Sequence, residues 1–246
     1  MTLLHKFILP ALVCLVSSIF AQTVRTDQFG NISNLADAKF VKAVEEVRID
    51  GVENNSKLSY DRIKGSRFWK DEWQPALLYS NTGYVGTMPV RINFATGEVH
   101  FLKDSEELVL TDNFLAKIIF PSVNDSCVFI SQVPNLIINK KPVDDFVQVL
   151  NFGKYQLLKY IKRNVASADS LFGTQKRYFF SDDISYFFKS NHKVERIKKL
   201  NKENVLFYLP SSSSYDAWIK ENNIDFKKEK DVVRFINYYN SHTRIP

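Results

Sequence analysis

Cysteine and histidine are scarce in this chain, which has two cysteines and four histidines among 246 residues. Zinc and similar metals need several Cys, His or carboxylate ligands at short range, yet the sequence has neither an HExxH nor a CxxC motif. His100, His192 and His242 are far apart in the sequence. We therefore expect no metal site, and a fold stabilised by its hydrophobic core rather than by disulfide bonds.

Motifs for nucleotide binding and nucleophilic catalysis are also missing. The chain has no GxxxxGK(S/T), no GxGxxG and no GxSxG sequence. Residues 211–214 are four consecutive serines, which are typical of a linker and a helix N-cap rather than of a nucleophile. We expect no cofactor and can assign no catalytic residue.

One apolar run has the features of a targeting segment. Residues 7–20 are apolar except for Pro10, Ser17 and Ser18, and Ala21 follows them. A span of this length is shorter than the roughly 20 residues that cross a bilayer and is typical of a signal peptide. We expect residues 1–21 to be cleaved near Ala21 and the protein to be exported to the periplasm or the medium. A buried N-terminal helix and a lipoprotein site at Cys14 are the alternatives.

The mature chain would then contain Cys127 as its single cysteine, in an apolar, β-prone run that predicts a buried small hydrophobic side chain rather than a nucleophile. No other apolar segment approaches the length that spans a bilayer. We expect no transmembrane segment after signal cleavage, and a monomer.

β-strand patterns dominate residues 61–190, which follow a mixed lead segment, residues 22–60. Short β-prone runs alternate with Gly, Asn, Asp and Pro, and residues 95–98 separate two such runs as a hairpin turn would.

Two further hairpins are predicted in the same region. Residues 146–152 and 155–163 flank Gly153, with one helix across Gly153 as the alternative. Residues 176–180 and 184–189 flank Ser-Asp-Asp at residues 181–183, which predicts a turn.

Helical spacing begins after residue 191. Three groups carry it: Val194, Ile197 and Leu200; Tyr215, Trp218 and Ile219; and Val232, Phe235, Ile236 and Tyr239. Strands followed by helices predict an α+β fold. In this fold an antiparallel β-rich body of successive hairpins, residues 61–190, precedes a basic helical segment, residues 191–246, packed on the body.

Charge is distributed unevenly along the chain. Residues 22–150 hold 14 Lys and Arg and 17 Asp and Glu, a net charge of −3, whereas residues 151–246 hold 18 and 10, a net charge of +8. Such a basic region can attract an anionic surface or an acidic glycan in a salt-dependent way. Export makes nucleic acid an unsuitable partner.

Six residues are candidates for binding: Trp69, Trp73, Lys176, Arg177, Lys198 and Lys199. The tryptophans lie in an aromatic-rich stretch beside Gly65-Ser66, which could form an exposed ledge or could place Phe68 and Trp73 in the core. The lysines and Arg177 belong to the basic half of the chain.

The sequence also resembles a group of uncharacterised secreted proteins typical of Bacteroidota. The resemblance covers residues 60–246 and is carried by GSxFxxDEW at residues 65–73, MPVRINF at 88–94, EVHF at 98–101 and INYYNS at 236–241. It implies export, a β-rich body and Lys-rich C-terminal helices, and it carries over no catalytic residue.

These features predict an exported, non-catalytic binding or structural module of the cell envelope, with an envelope protein, glycan or anionic surface as its partner. The alternative is a hydrolase of an envelope or dietary polymer, with carboxylates assembled from separate strands. Adjacent acids such as Asp144-Asp145 point to opposite faces of a strand, so no such pair converges by itself.

Overall fold

The computed structural model describes residues 40–42, 46–48, 57–103, 105–110, 114–121, 126–169, 176–191, 193–210 and 214–242. The expected signal peptide, the lipoprotein alternative at Cys14 and the predicted cap at residues 211–213 lie outside them. The strands among these residues are β1 Phe40–Lys42, β2 Glu46–Arg48, β3 Lys57–Ser59, β4 Ile63–Lys64, β5 Gln74–Ser80, β6 Gly83–Ile92, β7 Val99–Lys103, β8 Glu106–Leu110, β9 Leu115–Phe120, β10 Cys127–Ile130, β11 Ile137–Ile138, β12 Lys141–Pro142, β13 Val147–Val149, β14 Tyr155–Asp169, β15 Lys176–Ser190 and β16 Lys193–Ile197. The helices among them are α1 Lys202–Leu206, α2 Ser214–Glu221 and α3 Glu229–His242.

One large sheet organises the described part of the chain. It contains twelve strands in the order β1-β8-β7-β6-β5-β9-β10-β13-β14-β15-β16, with β4 paired to β15. Neighbours are antiparallel except β4 and β15, which are parallel. The expected β-rich, mainly antiparallel α+β architecture with short C-terminal helices is confirmed.

The strands β14 and β15 form a hairpin of two fifteen-residue strands. Their pairing runs without a break from Tyr155 opposite Ser190 to Asp169 opposite Lys176. The predicted turn at residues 181–183 is wrong, because this stretch continues β15. Arg163 on β14 donates two hydrogen bonds to the Asp182 carboxylate, at 2.6 and 2.8 Å, which satisfies an acid that would otherwise favour a turn.

The hairpin predicted around Gly153 is confirmed, and the alternative helix is wrong. Strand β13 pairs with β14 through Val149 opposite Leu158. In the connection between them, Gly153 has a φ of +127° and lies against the Asn240 side chain of α3. Asn240 accepts a hydrogen bond from the Tyr155 N–H at 3.0 Å and donates one to the Tyr155 carbonyl at 2.8 Å. The turn is thereby tied to the end of the last helix.

Strand β16 replaces the helix predicted for Val194 and Ile197, so that prediction is wrong. Val194 lies opposite Lys189 and Ile197 opposite Tyr186 on β15. The two side chains are an odd number of residues apart, so they point to opposite faces of the sheet, and each face is covered there. A strand buried on both faces has no alternation to distinguish it from a short helix.

The helices α2 and α3 match their predicted positions. Val232, Phe235, Ile236 and Tyr239 of α3 are all buried, as the i, i+3, i+4, i+7 spacing requires. Their partners include Tyr155, Leu157 and Phe188 on the sheet. The basic segment is therefore packed on the β-rich body through α3.

The described residues form three hydrophobic clusters, and β14 contributes to each of them. Tyr155 and Leu157 belong to the cluster under the helices, and Leu158 and Tyr160 to the cluster on the opposite side. Ile161 packs against the cluster formed by β5 to β10. Cys127 is half-buried rather than fully buried, and the Gln148 side-chain amide donates a hydrogen bond to its Sγ at 3.2 Å. In the described residues no helix has the length and hydropathy needed to cross a bilayer.

Candidate functional site

The six candidate binding residues are divided among three separate places. Trp69 is half-buried against Phe120 and Phe129, with ring centroids 4.8 and 5.1 Å away. Lys176 and Arg177 are exposed at the start of β15, opposite the last residues of β14. Lys198 and Lys199 follow β16, and the register of Ile197 opposite Tyr186 places them about 25 Å from Arg177 along β15.

Trp73 belongs to a group of aromatic and charged side chains on one face of β6, β7 and β8. The Arg91 guanidinium lies 4.1 Å from the Trp73 ring centroid and 3.9 Å from that of Phe68. Arg91 also donates to Glu107 at 2.6 Å, and His100 Nδ1 donates to the same carboxylate at 2.6 Å. These cation–π contacts and ion pairs fix the Trp73 ring against the sheet, so Trp73 has a structural role there.

The Gly65-Ser66 turn explains the sequence motif around Trp69. Gly65 has a φ of +99°, which favours glycine. The Ser66 hydroxyl accepts the Phe68 N–H at 3.0 Å and donates to the Asp71 carboxylate. These bonds direct Phe68, which is buried, onto His100, with ring centroids 5.0 Å apart.

A basic cleft at the end of β16 brings together cations from distant parts of the sequence. Its volume is about 350 Å³, and its cationic lining residues are Arg196, Lys198, Lys199 and Lys227. The first three come from β16 and the residues after it, whereas Lys227 comes from the connection between α2 and α3. Ile184, Tyr186, Ile197 and Leu200 provide an apolar wall. We call this the basic cleft.

The basic cleft carries uncompensated positive charge. No acidic residue lines it, and among the described residues no carboxylate pairs with Lys198, Lys199 or Lys227. Arg196 donates to the Ser185 hydroxyl at 2.9 Å, which fixes its guanidinium without neutralising it. Three ammonium groups and a guanidinium around one concave space form a site for phosphate, sulfate or carboxylate groups.

The Glu229 carboxylate bonds to Tyr186, one of the residues that line the basic cleft. It accepts hydrogen bonds from Tyr186 at 2.7 Å and from Lys159 at 2.8 Å. Burial and the Glu229 carboxylate raise the pKa of the Tyr186 hydroxyl, so Tyr186 keeps its proton and remains a donor. Glu229 therefore holds α3 to the sheet, and its charge is balanced by Lys159.

Several carboxylates also meet in a smaller cavity of about 170 Å³, lined among others by Glu98, Asp144 and Asp145. Asp145 accepts a hydrogen bond from Tyr160 at 2.8 Å and lies 3.5 Å from the Lys162 ammonium. Glu98 accepts a hydrogen bond from Thr96 and has His100 Nε2 at 3.8 Å. One oxygen of each acid, Asp145 Oδ2 and Glu98 Oε2, is thus engaged by other side chains of the protein. Within the described part of the chain no cluster of three His, Cys, Asp or Glu could hold a metal ion.

The sequence alone identified two of the four cationic residues of the basic cleft as candidates for binding. Lys198 and Lys199 stood out in a basic run, but Arg196 was assigned to a helix and Lys227 is separated from it by thirty-one residues. The ion pairs of Arg91, His100 and Glu107 were also missed, because the register of β6, β7 and β8 that joins them is not encoded in any local pattern. Neither a protein-family model nor a curated protein nor a solved structure matches the chain.

Proposed function

We propose that this protein is an exported, non-catalytic binding module of the cell envelope, and that its basic cleft binds an anionic group on its partner. The observation that carries the proposal is the convergence of Arg196, Lys198, Lys199 and Lys227 without an acidic residue in the lining. Like charges placed together cost folding free energy, and a bound anion removes that cost. A cleft of this composition is suited to phosphate, sulfate or carboxylate.

Binding is favoured over hydrolysis by the state of the carboxylates. A glycoside hydrolase needs two acids that face the same bond across about 5–9 Å of open space. Asp145 and Glu98 instead bond to Tyr160, Lys162 and Thr96, and the cavity beside them is about 170 Å³. The basic cleft offers charge in a volume of about 350 Å³, whereas the small cavity is about half that size and two of its acids already bond to neighbouring side chains.

Export enters the proposal through residues 1–21 and through the resemblance to secreted proteins. The cell envelope contains anionic molecules, which the net charge of +8 in residues 151–246 would attract. The shared chemistry of these partners is an exposed phosphate, sulfate or carboxylate group, carried either by a lipid or by a polysaccharide.

Binding measurements on the chain without residues 1–21 test the proposal in two arms. One arm uses vesicles of phosphatidylcholine with and without phosphatidylglycerol, and the other uses galacturonate oligomers in solution. We expect binding in at least one arm at low salt and its loss near 1 M salt, where the screening length falls to about 3 Å. The double variant Lys198→Glu/Lys199→Glu should bind about tenfold more weakly or worse.

A matched control separates the cleft from net charge. Lys176→Glu/Arg177→Glu changes the net charge of the protein by the same amount on exposed residues about 25 Å away. This variant should bind like the unaltered protein. Equal losses in the two double variants, or no binding in either arm at low salt, would overturn the proposal.

A further inference from the structure

A second, larger cleft lies beside the same edge strand. Its volume is about 990 Å³, and its lining includes Ile137, Phe188, Lys193, Glu195, Phe207 and Tyr208. Lys193, Val194 and Glu195 belong to β16, which is the terminal strand of the sheet on this side. We call this the aromatic cleft.

Phe207 is the unusual residue of the aromatic cleft, since 79% of it is exposed. It follows α1, and its ring meets the Tyr208 ring edge to face, with centroids 5.2 Å apart and planes at 88°. Tyr208 in turn stacks on the buried Phe188 at 5.1 Å and 16°. A fixed pair of rings therefore supports Phe207, whose apolar surface faces solvent at a cost in free energy unless a ligand covers it.

The other lining residues of the aromatic cleft are polar enough to specify the kind of ligand. Asn135, Ser190 and Asn191 supply amides and a hydroxyl, and Lys193 pairs with Glu195 at 2.9 Å. An acyl chain would remove these groups from water without giving them partners, which is unfavourable. A sugar ring has an apolar face that can cover an aromatic ring and a rim of hydroxyls that can bond to amides and charged groups.

A peptide strand added to β16 fits less well. This edge strand carries Lys193 and Glu195, and charged side chains on an edge strand discourage strand addition. The Arg196 carbonyl already accepts a hydrogen bond from the Tyr208 hydroxyl at 3.2 Å. The edge is thus partly occupied where a peptide would have to bond.

The two clefts are consecutive along β16. Residues 193–195 line the aromatic cleft, and residues 196–199 line the basic cleft. We propose that the aromatic cleft stacks sugar rings on Phe207 and that the two clefts together bind an acidic oligosaccharide. The acidic part of this inference rests on the proposed function, whereas the stacking part rests on Phe207 alone.

Three probes test the inference by calorimetric titration of the chain without residues 1–21. They are galacturonate hexamer, which has rings and charge, cellohexaose, which has rings alone, and inorganic pyrophosphate, which has charge alone. Phe207→Ala should weaken both sugars about tenfold and leave pyrophosphate unchanged. Lys198→Glu/Lys199→Glu should weaken galacturonate and pyrophosphate and leave cellohexaose unchanged.

Two further variants serve as controls for Phe207. Phe152→Ala removes another exposed ring, 60% of which is accessible, from outside the aromatic cleft and should change no affinity. Phe207→Trp keeps a flat aromatic surface and should restore sugar binding.

The possible failures are distinguishable. Pyrophosphate binding with neither sugar bound, or unchanged sugar affinity in Phe207→Ala, overturns the inference and leaves the proposed function standing. Cellohexaose binding that needs Phe207, without binding of galacturonate, pyrophosphate or anionic vesicles, supports the stacking site and overturns the proposed function. If no sugar binds and Phe207→Ala instead abolishes capture of an envelope protein, the aromatic cleft is a protein contact and the inference is wrong.

Discussion

Gly153 occupies a place that no other residue can take without distortion. Its φ of +127° is unfavourable for a side chain, and a Cβ atom there would lie 2.6 Å from Asn240 Nδ2. We expect Gly153→Ala to lower the free energy of unfolding by about 1–3 kcal/mol, because either the turn or the Asn240 bonds must yield. Urea denaturation measures the change.

Gly86→Ala is the control for this substitution. Gly86 lies on β6, and a Cβ atom added there meets nothing within 4 Å. The free energy of unfolding of Gly86→Ala should differ from that of the unaltered protein by less than about 1 kcal/mol. Equal effects at Gly86 and Gly153 would contradict the role assigned to the turn at Gly153.

Glu98 makes the stability of the protein depend on pH. The neighbouring His100 imidazole holds the pKa of Glu98 below its ordinary value of 4.5. A carboxyl group with a lowered folded-state pKa stabilises the protein above its unfolded pKa, and this contribution is lost as the pH falls through the folded pKa. Glu98→Gln should therefore lower the urea midpoint at neutral pH and have no effect once Glu98 is protonated.

Asp182 accounts for part of the remaining pH dependence, because the Arg163 guanidinium lowers its pKa as well. Asp182→Asn should show the same sign of change as Glu98→Gln, and the double variant should be flatter with pH than either single one. A pH profile in Glu98→Gln that parallels the unaltered protein would rule out the contribution of Glu98.

At the scale of elements, α3 is stabilised mainly by its buried aromatic face. Phe235 is fully buried and contacts the rings of Trp218 and Phe226, with centroids 6.1 and 5.2 Å away. Phe235→Ala should lower the free energy of unfolding by about 3–5 kcal/mol. Phe207→Ala, which removes a ring that is 79% exposed, should leave it nearly unchanged. A thermal midpoint of Phe235→Ala equal to that of the unaltered protein would show that α3 is not docked.

The elements that sequence predicted well are those with one buried face. Residues 95–98 and Gly153 lie between strands that pair as predicted, and α3 buries the residues its period selected. The predictions failed where partners decide the outcome. Asp182 and Asp183 are turn-forming residues, yet Arg163 bonds Asp182 and the strand continues. Val194 and Ile197 are buried on opposite faces, so their spacing alone could not identify a strand.

In the candidate site too, the residues with a local sequence signal were predicted and those placed by distant parts of the chain were not. Lys198 and Lys199 were visible as a charge run, but the cleft also needs Lys227 from a distant loop. Phe207 gave no signal, because an apolar residue in the run Val205-Leu206-Phe207-Tyr208 is expected to face the core. Its exposure is set by the end of α1, where the chain turns after Leu206.

At the scale of the molecule, the position of β14 in the sheet leads us to expect cooperative unfolding. It contributes to all three hydrophobic clusters and pairs with β13 and β15, so none of the clusters can open alone without losing part of β14. Trp218 stacks on Tyr238 in the helical layer, whereas Trp69 and Trp73 lie on the β-rich body. A variant that keeps only Trp218 reports on the helical layer by fluorescence, and a variant that keeps only Trp69 and Trp73 reports on the β-rich body.

We expect the fluorescence and circular dichroism transitions to coincide in urea for both variants, Trp218→Phe and Trp69→Phe/Trp73→Phe. A Trp218 transition at lower urea than the loss of β-structure would mean that the helical layer unfolds separately. The fluorescence and circular dichroism changes on unfolding of the unaltered protein provide the reference for both variants.

Arg163 donates to the carbonyls of Ser66 and Phe68, at 2.8 and 2.6 Å, across ninety-seven and ninety-five residues of sequence. Strand β4 likewise pairs with Tyr178 and Phe179 on β15. The stretch before β5 therefore cannot reach its final arrangement until a segment more than a hundred residues later has been made. Such long-range pairing slows folding, since the loop must close before its contacts form. The chain therefore completes its fold late, after most of its length has been synthesised.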